Sequence, residues 1–378
     1  MGGRVRLTFT QATGHLCHLR NYLVRNSQRN TISMAGNTVL ITGGNGHVGF
    51  KVLVKLLEAG YTLRAAVRSS AKADAILAAP SVQALDLKSK LSFVIVPDLL
   101  APGAYDEAVK DVDYIIHLAS PILSGFTEDQ FEIQLIQPAV KGTTGILYSA
   151  LSILSIKRVV ITSSIVAQIS FSDIFIEETG KVLNEASRIS DPTGPVANEF
   201  EAYSNSKVRA LNATEQFMTK EKPHFSVVHV HPSFVIGANE LATTVDGDQH
   251  GTNKTALGQV LGFDMPFPVP NASVHLDDAA ELHVKALDPN IPNGQSLVGN
   301  SGAREGTTWG DAIGIVKRHF PKAVKNGVLP NSGVTSTKKV AIDVSETEKL
   351  TGIKFKSYEE QVLSVVKQYL DLIGAEAA

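Results

Sequence analysis

The chain has 378 residues, 43% of them hydrophobic and 19% charged, with a formal net charge of −2. That is the balance of a globular protein long enough for a large buried core, in one large α/β domain or two smaller ones, and it offers no electrostatic reason to expect nucleic acid or an anionic membrane as partner. No apolar run reaches the roughly 18 residues of a spanning helix, and the single cysteine, Cys17, excludes an internal disulfide and any cysteine-based metal cluster and fits a reducing compartment.

The first 33 residues carry Arg4, Arg6, Arg20, Arg25 and Arg29, many hydroxylated side chains and no acid; the first acid in the chain is Glu58. This is the composition of a mitochondrial transit segment. The plainer reading, preferred here, is an N-terminal extension or a start at Met34, because Met34-Ala35-Gly36-Asn37 leads directly into the first strand pattern. Residues 1–35 are therefore set outside the fold, and the expected location is cytoplasmic, with mitochondrial as the alternative.

From residue 38 the pattern alternates. Residues 38–42 are a short apolar run ending in glycines, a buried parallel strand. Val48, Val52, Leu53, Leu56 and Leu57 then recur at helical spacing until Gly60. Further strands are expected at 63–67, 91–96, 114–118, 158–162 and 226–230, with helices at 104–109, 133–152 and 204–220. Repeated strand–helix–strand units call for a Rossmann-type, doubly wound parallel sheet covered on both faces. Residues 36–237 are expected to form this dinucleotide-binding domain. Residues 238–378 supply mainly a smaller substrate-binding region interleaved with it: a partly irregular lid over 238–271, then helices at 277–287, 309–319 and 358–373.

Four constellations carry chemistry. Gly43, Gly46 and Gly49 stand in the run Gly43-Gly44-Asn45-Gly46-His47-Val48-Gly49, after a strand and opening a helix. The first glycine permits a tight turn, the second lets backbone approach a pyrophosphate, and the third lets helix and strand pack closely. Amides at the helix N-terminus then meet the phosphate charge. Residues 61–73 contain no acid that could bind a ribose 2′-hydroxyl, but they offer Arg68 and, one turn later, Lys72. A guanidinium there suits a 2′-phosphate, which selects NADP(H) over NAD. Tyr203 is the only one of the eight tyrosines with a lysine, Lys207, four residues later, so the two share a helix face. Bringing a phenol from pKa 10 to about 7 needs roughly 4 kcal/mol of anion stabilisation, which a neighbouring ammonium and an oxidised nicotinamide can supply. Ser164, in Thr162-Ser163-Ser164 at the end of the fifth strand, can hydrogen-bond a carbonyl as negative charge develops.

Taken together, these residues resemble the extended short-chain dehydrogenase/reductases of the NAD(P)-dependent epimerase/dehydratase family. The resemblance is nearest to the dihydroflavonol reductase-like branch, which includes cinnamoyl-CoA reductases and the yeast methylglyoxal/isovaleraldehyde reductase. It runs over about residues 38–373 and also rests on Pro97-Asp98-Leu99, His117-Leu118-Ala119-Ser120-Pro121, His231-Pro232-Ser233-Phe234-Val235 and Val274-His275-Leu276-Asp277-Asp278. The resemblance implies Tyr203 as proton donor, Lys207 as the group that lowers its pKa and holds the nicotinamide ribose, and Ser164 as the residue that orients the carbonyl. It also implies that Asp98 and Leu99 lie beside adenine, Ala119 beside the ribose or pyrophosphate, and Pro232 to Val235 along the nicotinamide. The chain departs from the branch at His231, where the pattern usually has Asn.

The expected activity is NADPH-dependent reduction of a ketone or aldehyde, in secondary metabolism or carbonyl detoxification. The partner would be a small carbonyl compound and the protein a monomer or homodimer without metal. A nucleotide-sugar epimerase or dehydratase is the alternative enzyme. Ser163-Ser164-Ile165 lacks the acids that dehydratases carry there, and Arg68 argues against NAD. A redox sensor on this fold would commonly lack the Tyr203–Lys207 pair.

Overall fold

The computed structural model describes residues 36–85, 87, 89–177, 179–245 and 251–375. The extension, with its transit-segment reading, lies outside the described residues. The main elements are β1 (Thr38–Thr42), α1 (His47–Glu58), β2 (Thr62–Val67), α2 (Ser70–Leu77), β3 (Leu91–Ile95), β4 (Tyr114–His117), α3 (Gln137–Leu151), β5 (Arg158–Thr162) and α4 (Glu199–Glu221). They continue with β6 (Ser226–Pro232), β7 (Phe234–Ile236), α5 (Asn253–Val260), β8 (Ser273–His275), α6 (Leu276–Lys285), β9 (Ser296–Gly299), α7 (Asp311–His319) and α8 (Tyr358–Leu372).

Seven strands form one parallel sheet in the order β9-β6-β5-β4-β1-β2-β3. This is a Rossmann-type fold, and its strand order reverses between β1 and β4, where the crevice of such sheets opens. The strands are continuous apolar runs because both faces are covered: Val39, Leu40 and Ile41 are fully buried, as are Ile115, Ile116, Val159 and Val160. One face packs on α1 and α6 through Leu53, Leu57 and Leu282. The other packs on α3 and α4 through Ile146, Leu147 and Phe217. Gly60 ends α1 at φ +90. Its N–H reaches Leu57 O and that of Tyr61 reaches Leu56 O, the paired bonds of a Schellman stop.

Away from the sheet, Trp309, fully buried, centres a second core of α5, α7 and α8. β7 and β8 pair in parallel between the two regions. No helix of the described residues is long and apolar enough to cross a membrane.

Some elements differ from expectation. Residues 104–109 form turns, not a helix. Gly103 and Asp111, at φ +69 and +56, bracket the segment, and Ala104 and Asp106 bond three residues back, to Ala101 and Gly103. One i→i−4 bond, Val109 N to Tyr105 O at 3.0 Å, follows these tighter turns, and no helix propagates from it. The expected helix over 133–152 is a π-helical turn, Phe131–Ile136, followed by α3. Pro138 at its junction cannot donate an in-helix hydrogen bond. β9 is a seventh strand not anticipated, and it comes from beyond residue 237. The lid contains α5, while residues 246–250 of it lie outside the described residues.

Candidate active site

At the switch point the Gly43–Gly49 turn is packed so tightly that side chains are excluded. Gly43 sits at φ +73, and a Cβ there would lie 2.8 Å from Ala119 N; a Cβ on Gly49 would lie 2.1 Å from Gly43 O. The turn is closed by Gly46 N donating to Gly43 O at 3.0 Å. Gly46 is the N-cap of α1 and has no side-chain cap. The first amides of the helix, from His47, Val48 and Gly49, thus face the turn as free donors, with the positive end of the helix dipole behind them. The His47 side chain does not face that turn. Its Nε2 donates to Gly237 O at 2.9 Å, tying α1 to the end of β7, and burial holds its pKa below the ordinary value. Asn45 stays within the turn and Val48 packs on the core of α1.

Thr42 Oγ1, at the end of β1, accepts Ala119 N–H at 3.2 Å and bonds His117 Nδ1 at 2.8 Å. This seats the loop after β4 against Gly43. Arg68 and Lys72 are exposed at the end of β2 and the start of α2, and neither pairs with a carboxylate among the described residues. Beyond β3, Asp98 is exposed with Oδ1 accepting Leu100 N–H at 2.9 Å, and Leu99 packs half-buried beside it. A cradle that any Cβ would fill, open helix amides and two free cations at the end of β2 fit a phosphorylated dinucleotide.

The second group of residues lies at the ends of β5 and β6. Ser164 caps the short 3-10 turn Ile165–Ala167 directly after β5. Asn198 starts α4 by accepting Glu201 N–H at 2.9 Å. The helix then carries Tyr203 and Lys207 on the face toward Ser164. Lys207 Nζ lies 5.3 Å from the Tyr203 ring centre and donates to Ser120 Oγ at 2.8 Å. The lysine is 7% exposed with no carboxylate partner among the described residues, and this burial brings its pKa down to about 8. Burial pushes Tyr203 up to about 12, opposed by its hydrogen bond with Ser164. Burial thus holds the phenol protonated rather than poised near neutrality. Pro232 closes β6, and Val235 is buried on β7 with its carbonyl accepting from Thr252 Oγ1.

Several participants were given no role of their own from the sequence. Ser120 seats Lys207, although its only signal was its place in the run after β4. Thr162 Oγ1 bonds His283 Nε2 at 2.7 Å, and His283 Nδ1 in turn donates to Ala279 O, so this hydroxyl is engaged in packing α6 on the sheet. A cavity of about 10 Å³ behind Lys207 is bordered by His117, Thr143, Ser163 and His229. His231 is fully buried between Ser164 and Ser296.

The profile of the NAD dependent epimerase/dehydratase family matches residues 39–298. A ketoreductase of Cercospora nicotianae is 41% identical over 344 residues, covering 90% of this chain and 96% of that protein. An NAD-dependent epimerase/dehydratase of Alternaria alternata is 39% identical over 347 residues, covering 88% and 97%. Among solved structures, yeast methylglyoxal/isovaleraldehyde reductase complexed with NADPH superposes with a TM-score of 0.75 at 24% identity, covering 90% of this chain and 100% of that one.

Proposed function

From the premise that the chain belongs to the NAD-dependent epimerase/dehydratase family, we propose that it is an NADPH-dependent reductase of a small ketone or aldehyde. The observation that carries this reading is the convergence of Ser164, Tyr203 and Lys207 at the carboxyl ends of the strands, beside the glycine turn. The ketoreductase relative, matched over nearly its whole length, supports the same chemistry.

Bound NADPH would supply the hydride that reaches the carbonyl carbon. The amides of residues 47–49 hold the pyrophosphate, and Gly43 and Gly49 leave room for it. Arg68 and Lys72 hold the 2′-phosphate. Asp98 and Leu99 border the adenine, Ala119 the ribose or pyrophosphate, and Pro232 and Val235 the nicotinamide. Ser164 Oγ donates to the carbonyl oxygen and holds it against Tyr203 as charge accumulates there. Tyr203 delivers the proton. Its raised pKa keeps it in the acid form a reduction needs, and the Lys207 ammonium beside its ring stabilises the phenolate left behind. Ser120 fixes that ammonium in place.

The test is Tyr203→Phe, assayed by NADPH oxidation against aldehydes, 1,2-dicarbonyls, aromatic ketones and flavanonols. Loss of a positioned acid lowers turnover by about 10²–10⁴-fold, while NADPH binding stays near the parent value. Turnover close to the parent's would sink the mechanism.

A further inference from the structure

His231 stands where the resembling branch usually has Asn, and its surroundings give this residue a task. Its Nδ1 lies 3.0 Å from the backbone oxygen of Ser164, and its Nε2 3.0 Å from Ser296 Oγ. Ser296, at the start of β9 and buried, receives Arg188 Nη2 at 3.0 Å. Arg188 is itself anchored by Glu215 Oε1 at 2.6 Å, on the outer face of α4, and by the carbonyls of Ser187 and Glu185 at 2.7 and 3.1 Å.

Chemistry dictates the direction of every bond. A carbonyl only accepts, so Nδ1 carries the imidazole proton. Burial keeps the ring neutral, with its pKa down to about 3, so Nε2 is an acceptor. The Ser296 hydroxyl must then donate to Nε2, and its oxygen must accept from a guanidinium that can only donate. The result is a one-way chain, Arg188 to Ser296 to His231 to Ser164, with one tautomer and one hydroxyl rotamer allowed. Its last member is the residue whose own hydroxyl faces Tyr203. Ser164 is held on its other side by Ser163 N donating to Val230 O at 2.7 Å, so β6 grips the turn at two successive residues.

We propose that His231, Ser296 and Arg188 are positioning residues that set where the Ser164 hydroxyl points, and that Ser296 acts by anchoring the His231 ring at Nε2. The inference rests on the reductase reading of Ser164. Ser296→Ala removes the donor to Nε2, so the imidazole loses one of its two anchors and the grip on Ser164 loosens. Turnover of the carbonyl substrate falls about tenfold, the scale of one misdirected buried hydrogen bond, with NADPH affinity and melting temperature near the parent values. Ser296→Thr, which keeps a hydroxyl, restores turnover. Arg188→Gln loosens the far end of the chain and lowers turnover by a smaller factor.

The decisive comparison is made in a second background. His231→Asn places an amide N–H near Ser164 O without a ring for Ser296 to anchor, so it retains most turnover, and adding Ser296→Ala to it changes little. An equal loss from Ser296→Ala in both backgrounds, or no loss in the parent, would overturn the proposal. If His231→Asn folds poorly, the Ser296→Ala and Ser296→Thr pair in the parent decides alone: equal turnover in the two would overturn it. Ser164→Ala, run in parallel, separates the two levels. Parent-like turnover there defeats the reductase reading of Ser164, whereas a large loss there with none in Ser296→Ala defeats only the chain.

Discussion

At the dinucleotide end of the crevice, the geometry depends on atoms that are missing: a methyl at Gly49 would sit 2.1 Å from Gly43 O, and one at Gly43 2.8 Å from Ala119 N. At the carbonyl end it depends on side chains that are present. Ser120, Ser164, Tyr203, Lys207, His231 and Ser296 come from five separate stretches of chain, and their bonds run between residues as much as 87 positions apart. The first kind of site tolerates change in the side chains around it but none in the turn itself. The second depends on each buried polar group having a partner, because an unsatisfied one costs about 1–3 kcal/mol.

The comparison breaks most visibly at Gly49. Gly49→Ala forces the turn open or moves α1 off the sheet. Overpacking of this kind costs about 1–3 kcal/mol and sometimes more, so NADPH affinity is expected to fall by roughly 100-fold and the melting temperature with it. Titration of NADPH by its fluorescence reads the first, and thermal unfolding reads the second. Parent-like binding would mean the turn is not the phosphate cradle.

Lys207 sharpens the contrast from the other end. Its ammonium is buried with no counter-charge among the described residues, and burial holds its folded pKa at about 8, below the unfolded value of 10.5. Between those two values the unfolded chain binds more protons than the folded one, and wild-type stability therefore rises with pH across that window. Below it, burying the charge opposes folding by roughly 3 kcal/mol. Lys207→Met is expected to lower turnover about 100-fold, as for loss of one charge-stabilising donor, yet to unfold at higher urea than the parent at pH 7. The advantage shrinks as pH approaches 10.5. A variant less stable than the parent at pH 7 would show that the Ser120 contact outweighs desolvation.

The same contrast explains what could be read from the chain. The turn, six strands and the Tyr203–Lys207 pair announce themselves through local spacing. β9 does not, because Ser-Leu-Val-Gly is too short for a period to register. α5 is hidden by its composition, since Asn253, Lys254, Thr255 and Gln259 read as loop although nearly the whole helix is buried. Hydrogen bonds from His231 to partners 65 and 67 residues away leave no trace in spacing. His231 stood out only as a departure from Asn, and that departure pointed to the nicotinamide, not to the back of Ser164.

The smallest expected effect concerns a side chain at the dinucleotide end. Arg68 is exposed and makes no ion pair among the described residues. Its charge is sensed by the nearby Tyr105 hydroxyl, whose ionisation it favours against burial. Arg68→Glu therefore leaves the glycine cradle intact and reverses only the local charge. A hydrogen bond to a charged group contributes about 1.5–3 kcal/mol, so NADPH affinity is expected to drop about 10- to 100-fold. NADH, lacking the 2′-phosphate, changes by no more than about threefold on the same scale of surface electrostatics. Equal losses for both would remove the assignment of Arg68 to the 2′-phosphate. A loss confined to NADPH would instead separate the two layers at this end: missing atoms admit any dinucleotide, and exposed cations choose between them.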